Sequence, residues 1–265
     1  MITEQEVPAT VWLTGASSGI GLALARMFAH EGFRVLATAR NQDALNALKR
    51  EFPARITPLP GDTTSREDVA RLAKTLREQG AIELAILNAG TCEYLDVRHF
   101  DSELVGRVME TNVMGTVRCV EAVLPVLRQT RSSGLPARLA IMSSSAWWFP
   151  FPRAEAYSAS KAALTTFALS LRADLAAENI PVTIISPGFV RTPLTDRNDF
   201  PMPFRIDADK AARIICRGLQ RGHNEIAFPK RFTGLLKLLA CLPRPLADRI
   251  AANLARNEQQ KDSVL

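Results

Sequence analysis

Short apolar runs alternate with amphipathic stretches along this 265-residue chain. Ala9 to Leu13, with β-branched Thr10 and Val11, predicts a buried strand, and Leu22 to His30 then follows a helical pattern. Arg34 to Ala39, Ile56 to Leu59, Ile82 to Leu87, Arg138 to Met142 and Val182 to Ile185 repeat the strand signal, with Glu225 to Phe228 as a last strand. Helical patterns lie between them at Asn41 to Glu51, Arg66 to Gln79, about Asp101 to Gln129, and Ala156 to Ala177. Strands and helices in this rhythm predict right-handed crossovers, hence an α/β fold with a doubly wound parallel sheet flanked by helices. The near-continuous apolar character of the strands agrees with a sheet covered on both faces. Arg231 to Leu242 and Pro245 to Asn257 read as two further helices. The expected organisation is a single domain over residues 1–230 followed by a helical C-terminal extension over 231–265.

Composition narrows the class without naming a function. A hydrophobic share of 47% with 23% charged residues is that of a globular protein. Residues 1–204 hold 21 basic and 21 acidic side chains, whereas residues 205–265 hold 12 and 6, so the whole net charge of +6 sits in the last quarter. That is a local basic surface and not a nucleic-acid footprint. Cys92, Cys119, Cys216 and Cys241 lie far apart with no histidine cluster beside them, so no metal site and no disulfide framework is expected. Buried thiols in a reducing compartment, and a cytoplasmic protein, are the reading that follows. Met1 to Pro8 carries Glu4 and Glu6 and lacks the apolar core of a signal peptide, and no apolar run is long enough to span a bilayer.

Candidate chemistry gathers where strands end. The first strand runs into Thr14-Gly15-Ala16-Ser17-Ser18-Gly19-Ile20-Gly21 and then a helix. Glycines let a backbone approach a ligand closely, and a helix N-terminus offers free N–H groups to a phosphate. The spacing is G-x-x-x-G-x-G, which departs from the general G-x-G-x-x-G dinucleotide form. Arg40, Asp62 with Thr63, Asn88-Ala89-Gly90, Ser143 to Ser145, and Pro187-Gly188 mark the ends of other strands. Ligands of an open parallel sheet bind at that edge. Tyr157 and Lys161, four apart on a predicted helix, share one face. A phenol has an ordinary pKa of about 10, and an ammonium one turn away is expected to draw it toward the neutral range.

TGASSGIG at 14–21, NAG at 88–90, NVMG at 112–115, the serine triplet at 143–145, YSASK at 157–161 and PGFVRTP at 187–193 together resemble the short-chain dehydrogenase/reductase family. The resemblance covers roughly residues 9–230 and implies a Rossmann-like fold and an oxidoreductase that interconverts a carbonyl and an alcohol by hydride transfer. It implies a catalytic set in which Tyr157 moves the proton, Lys161 tunes it and holds the nicotinamide ribose, and Ser144 meets the substrate oxygen. Asn112 would sit at a distortion of its helix and anchor a water. The cofactor would lie against Gly15, Ser17, Ser18, Gly19, Ile20 and Gly21, against Arg40, Asp62 and Thr63, and against Asn88, Ala89 and Gly90. Tyr157, Lys161, Pro187, Gly188, Val190 and Thr192 would complete its site. NAD-preferring relatives end the second strand in an acidic residue, whereas this chain has Ala39 followed by Arg40. A guanidinium without a competing carboxylate suits a 2′-phosphate, so NADP(H) is favoured over NAD(H). Ser18, where some NADP-type relatives carry a second basic residue, adds nothing to that preference. Family members often pair through the two long helices, so a homodimer or homotetramer is implied.

Two loops flank the expected reaction centre. Ala146 to Pro152 contains Trp147, Trp148, Phe149 and Phe151, and Phe189 to Phe204 contains Leu194, Phe200 and Met202. They suggest an apolar wall for a bulky hydrophobic small-molecule substrate. For the C-terminal extension three readings stay open: a lid, a subunit contact, or a segment resting on an anionic membrane surface. A cofactor-binding regulator without turnover is the alternative from another class; a membrane-surface reductase acting on a lipid, steroid or retinoid is a further alternative that keeps the chemistry. The intact set of Asn112, Ser144, Tyr157 and Lys161 favours the enzyme.

Overall fold

The computed structural model describes residues 9–262. Met1 to Pro8, read above as no signal peptide, and the end of the extension at 263–265 lie outside the described residues. The strands are β1 (Thr10–Thr14), β2 (Arg34–Ala39), β3 (Ile56–Pro60), β4 (Leu84–Leu87), β5 (Arg138–Met142), β6 (Val182–Pro187), β7 (Val190–Arg191), β8 (Ile206–Asp207) and β9 (Glu225–Phe228). Seven of them form one parallel sheet in the order β3-β2-β1-β4-β5-β6-β9, and β7 pairs with β8 apart from it. The helices are α1 (Gly19–His30), α2 (Gln42–Glu51), α3 (Arg66–Glu78), α4 (Ser102–Met109), α5 (Gly115–Ser132), α6 (Glu155–Leu175), α7 (Ala208–Gln220), α8 (Lys230–Ala240) and α9 (Arg244–Asp262). This is the Rossmann-like, doubly wound arrangement.

Alternation along the strands divides the core in two. Val11, Leu13, Val35, Ala37 and Ile86 face one side, where they pack with Leu24, Phe28, Ile215 and Leu219 of α1 and α7. Trp12, Leu36, Ala85 and Leu87 face the other, with Leu72, Val123, Leu127 and Leu164 of α3, α5 and α6. All five residues of β1 are buried, which places the glycine turn after it at the centre of the sheet edge. Trp12 carries its polar atom into this core, and its indole N–H donates to the Thr38 hydroxyl at 3.0 Å.

Three features differ from the pattern reading. The long helix expected from Asp101 to Gln129 is broken by a wider π turn at Glu110–Met114, the distortion that the family resemblance implied at Asn112. The cause is Asn112, fully buried in that turn. Its amide accepts from the Thr91 N–H at 2.7 Å and donates to the Thr91 carbonyl and the Ser160 hydroxyl, both at 2.9 Å. The strongly amphipathic α7 has no counterpart in the pattern reading, although Ala211, Ala212, Ile215, Cys216 and Leu219 form its buried face at helical spacing. The thiols are all free, but only Cys119 and Cys216 are buried; Cys92 is half-buried and Cys241 exposed.

Candidate active site

The carboxyl ends of β1, β2 and β4 open into a cleft of about 720 Å³. Its floor is the turn from Gly15 to Gly21, and packing dictates the glycines there. Gly15 has φ +70°, and a Cβ on it would stand 2.8 Å from Asn88 Nδ2 and 2.9 Å from the Ala89 Cα. A Cβ on Gly21 would stand 2.0 Å from the Gly15 carbonyl oxygen. Asn88 ties β4 to the turn by donating from Nδ2 to the Thr14 and Gly15 carbonyls at 3.1 and 3.3 Å. The Thr14 hydroxyl accepts from the N–H groups of Asn88 and Ala89. Ser18, the N-cap of α1, makes no side-chain cap, in contrast to Asn41 on α2 and Ser65 on α3. The first N–H groups of α1 are thus left for an anion at the end of a glycine cradle. These residues fit the pyrophosphate of a dinucleotide.

Across the cleft, α6 presents Tyr157 and Lys161 one turn apart. Lys161 is 3% exposed, and its Nζ donates to the Met142 carbonyl at 2.9 Å and lies 5.6 Å from the centre of the Tyr157 ring. The Ser144 hydroxyl lies beside the Tyr157 phenol, while its Oγ accepts from the Ala146 N–H at 3.1 Å and donates to the Pro187 carbonyl at 3.4 Å. Lys161 does not draw the phenol down as expected. Burial, followed by the charge of the neighbouring Cys92, pushes the Tyr157 pKa above its ordinary value, and the nearby Ser144 hydroxyl only opposes that rise. The same dry surroundings lower Lys161 to about 8, against a smaller upward pull from Cys92. Two groups in one desolvated pocket both shift toward their neutral forms. At neutral pH the phenol is therefore a loaded proton donor.

A sequence model of the short chain dehydrogenase family matches residues 9–200. The chain belongs to this family. An uncharacterized oxidoreductase of Myxococcus xanthus is 36% identical over 249 residues, covering 92% of this chain and 97% of that protein. A short-chain dehydrogenase of Sphingobium yanoikuyae, solved in complex with NADPH, superposes with a TM-score of 0.75 at 25% identity, covering 90% of this chain and 97% of that one. A Burkholderia phymatum short-chain dehydrogenase/reductase in complex with NAD matches in fold, with a TM-score of 0.78 at 20% identity over 87% of this chain and 92% of that one. The protein is thus an NAD(P)-dependent dehydrogenase or reductase, and its relatives hold either nucleotide.

Most of the residues expected at the cofactor of this family member line the one cleft: Gly15, Ser17, Ser18, Gly19, Ile20, Gly21, Arg40, Asp62, Thr63, Asn88, Ala89, Gly90, Tyr157, Lys161, Pro187 and Thr192. Gly188 and Val190 do not. The Gly188 N–H donates to the Phe228 carbonyl at 2.7 Å, and its α-carbon faces Phe232, so that a Cβ would meet the ring at 2.6 Å. Val190 is 2% exposed inside the core. Ser144 lies just behind the wall, and Asn112 lies deeper, its amide donors both committed to Thr91 and Ser160. Arg40 stands on the rim, 3.9 Å from Asp62, whose carboxylate also accepts from the Thr64 N–H and hydroxyl. Thr91, Glu93, Arg107 and Arg197 line the cleft without having been expected there. Thr91 and Glu93 directly continue the NAG segment, whereas no pattern marked Arg107, which pairs with Glu93 at 3.1 Å.

The first aromatic loop does not wall the cleft. Phe149 is buried with Phe232 and Leu236 in a satellite core, against which Trp148, Phe151 and Phe189 pack. These rings seat α8 and α9, because helices with apolar inner faces need a partner surface. The second loop stays beside the reaction centre. Phe200 meets Tyr94 edge to face at 5.5 Å and Phe189 at 6.1 Å, and Tyr94 neighbours both Cys92 and Tyr157. Arg153 clamps this loop by donating to both carboxylate oxygens of Asp199 at 3.0 and 3.1 Å. Among the described residues no group of three or more His, Cys, Asp or Glu is placed to hold a metal ion, and no helix is long and apolar enough to cross a membrane.

Proposed function

We propose that the protein is an NADP(H)-dependent carbonyl reductase or alcohol dehydrogenase acting on an apolar small molecule. The observation that carries this is the cleft in which the Tyr157 phenol, with Ser144 beside it, faces the glycine turn beside a buried Lys161. A bound reduced nicotinamide supplies the hydride to the carbonyl carbon. Tyr157 gives its proton to the carbonyl oxygen, Ser144 donates a hydrogen bond to that oxygen, and Lys161 holds the ribose. The aromatic contact of Tyr94, Phe200 and Phe189 supports an apolar substrate. Exposed Met114 and Leu169, on the long-helix side, support pairing of subunits there into a homodimer or homotetramer. The free thiols support a cytoplasmic location. A screen of small and bulky carbonyls, following the near-ultraviolet absorbance of reduced nicotinamide, tests the activity. Tight NADPH binding without turnover on any compound would favour a regulator.

The preference for NADP(H) is supported by β2, which ends at Ala39 without a carboxylate, and by Arg40 on the cleft rim. A charge-assisted contact to a 2′-phosphate contributes roughly 1.5–3 kcal/mol. Arg40→Asp is therefore expected to weaken NADPH binding on the order of 10–100-fold while changing NADH binding far less. Titration of the purified variant with both nucleotides checks this, and equal losses would make Arg40 a bystander.

Lys161 sets a pH dependence. Its ammonium is intact below about 8 and lost above, so reduction is expected to hold through neutral pH and decline as pH rises past that value. The folded pKa lies below that of the unfolded chain, so between the two the unfolded chain binds the extra proton. Folding stability contributed by this group therefore rises with pH across that window. Comparing melting temperature against pH for the native chain and Lys161→Met isolates the slope. Identical slopes would show that Lys161 titrates normally.

A further inference from the structure

The helix pair at the C-terminus has two unlike faces. Phe232, Thr233 and Leu236 of α8 are buried, and Leu239, Ala247, Ile250 and Ala251 pack with them on the satellite core. On the remaining surface Leu235, Leu238 and Leu246 are 48%, 65% and 45% exposed. A helix that has already buried one apolar face has no folding reason to carry large leucines on the other. The same two helices carry Lys230, Arg231, Arg244 and Arg249, all exposed and none in an ion pair among the described residues. Lys237 is committed to Glu225 at 3.0 Å and lies 4.9 Å above the Trp148 ring. Asp248 is the one acidic side chain between residues 230 and 254.

We propose that this face of α8 and α9 docks on the surface of an anionic lipid bilayer. The leucines enter the boundary between headgroups and acyl chains, and the four cations meet lipid phosphates. Neither helix is long and apolar enough to cross a membrane, so the pair lies in the plane of the surface. Charge decides against a second copy of the chain as the occupant. A self-complementary contact would bring the same cations face to face, and the protein's whole positive excess lies in this quarter, 12 basic against 6 acidic residues over 205–265. Docking would also hold the segment Ser145–Trp148, which follows Ser144, near the bilayer, because α8 packs on it.

Flotation of the full chain with vesicles tests the proposal without reference to activity. The native protein is expected to float with phosphatidylcholine vesicles containing phosphatidylglycerol, to stay behind with phosphatidylcholine alone, and to release at high salt. Leu235→Gln combined with Leu238→Gln and Leu246→Gln is expected to lower partitioning at least about tenfold. Because those side chains are exposed, the melting temperature should not move. Arg231→Glu with Arg244→Glu asks the same question through charge alone, with a loss of roughly fivefold or more for each site. A native protein that ignores anionic vesicles would overturn the proposal, as would leucine variants that float equally well. A native dimer in sedimentation that the leucine substitutions dissociate would assign the face to a second copy instead.

Discussion

Tyr157→Phe is expected to lower kcat/KM for carbonyl reduction by roughly 10²–10⁴-fold, the range over which positioned general acids contribute. Only the hydroxyl is removed, so the ring still packs on the cleft wall above Lys161 and the glycine turn is untouched. Cofactor affinity should therefore remain near that of the native protein. The expectation is sharpened by the environment of the phenol. Burial raises its pKa, so at neutral pH it stands protonated and ready to donate, with the Ser144 hydroxyl nearby. Steady-state kinetics together with a fluorescence titration of NADPH separate the two quantities. Substantial retained turnover would remove Tyr157 from the proton's path.

Gly21→Ala should have the largest effect on the fold of the site. The added carbon would stand 2.0 Å from the Gly15 carbonyl oxygen and 2.6 Å from Asn88 Nδ2. The first is backbone and the second is held by two carbonyls, so no side-chain rotation relieves the contact. Overpacking in a core costs typically 1–3 kcal/mol, and a backbone clash belongs at or above the top of that range. The turn must move away from the end of β4, which would take nucleotide binding with it. Gly106→Ala provides the control. It lies within α4 with nothing near its α-carbon, and there alanine is expected to stabilise by about 0.5–1 kcal/mol. Thermal denaturation and nucleotide titration of both variants give the comparison, and a Gly21→Ala protein that binds like the native chain would contradict the packing.

Strands and crossovers were legible because burial on both sides of a parallel sheet leaves unbroken apolar runs such as Val11 to Leu13 and Ile184 to Ile185. The glycine turn, the NAG segment and the Tyr157–Lys161 pair were legible because chemistry at a sheet edge needs particular residues at short spacing. What pattern could not supply was the outcome of competition between distant groups. The π turn at Asn112 arises from partners 21 and 48 residues away, Thr91 and Ser160, and a single added residue per turn leaves no trace in helical periodicity. The phenol of Tyr157 moves upward because tertiary burial outweighs a cation one turn off, a balance invisible to spacing. Trp148 and Phe149 read as substrate-facing because nothing local distinguishes an aromatic that lines a pocket from one that seats a helix. The helix α7 was different, since Ala211, Ala212, Ile215 and Leu219 carry an ordinary amphipathic signal that was there to be used.

The strand order has a consequence for how this enzyme comes into being on the ribosome. The first four strands, from Thr10 to Leu87, form one contiguous side of the sheet, β3-β2-β1-β4, and carry the glycine turn and the Asn88 tie. The second side brings Tyr157 and Lys161, and its strands join the first along the seam where Leu84 to Leu87 meet Arg138 to Ile141. A nascent chain can thus assemble the phosphate cradle while its β4 edge is still open, more than fifty residues before the strand that closes it has been made. The residues of the phosphate cradle are thus made first, and those that move a proton, Tyr157 and Lys161, only after the strand that closes that seam.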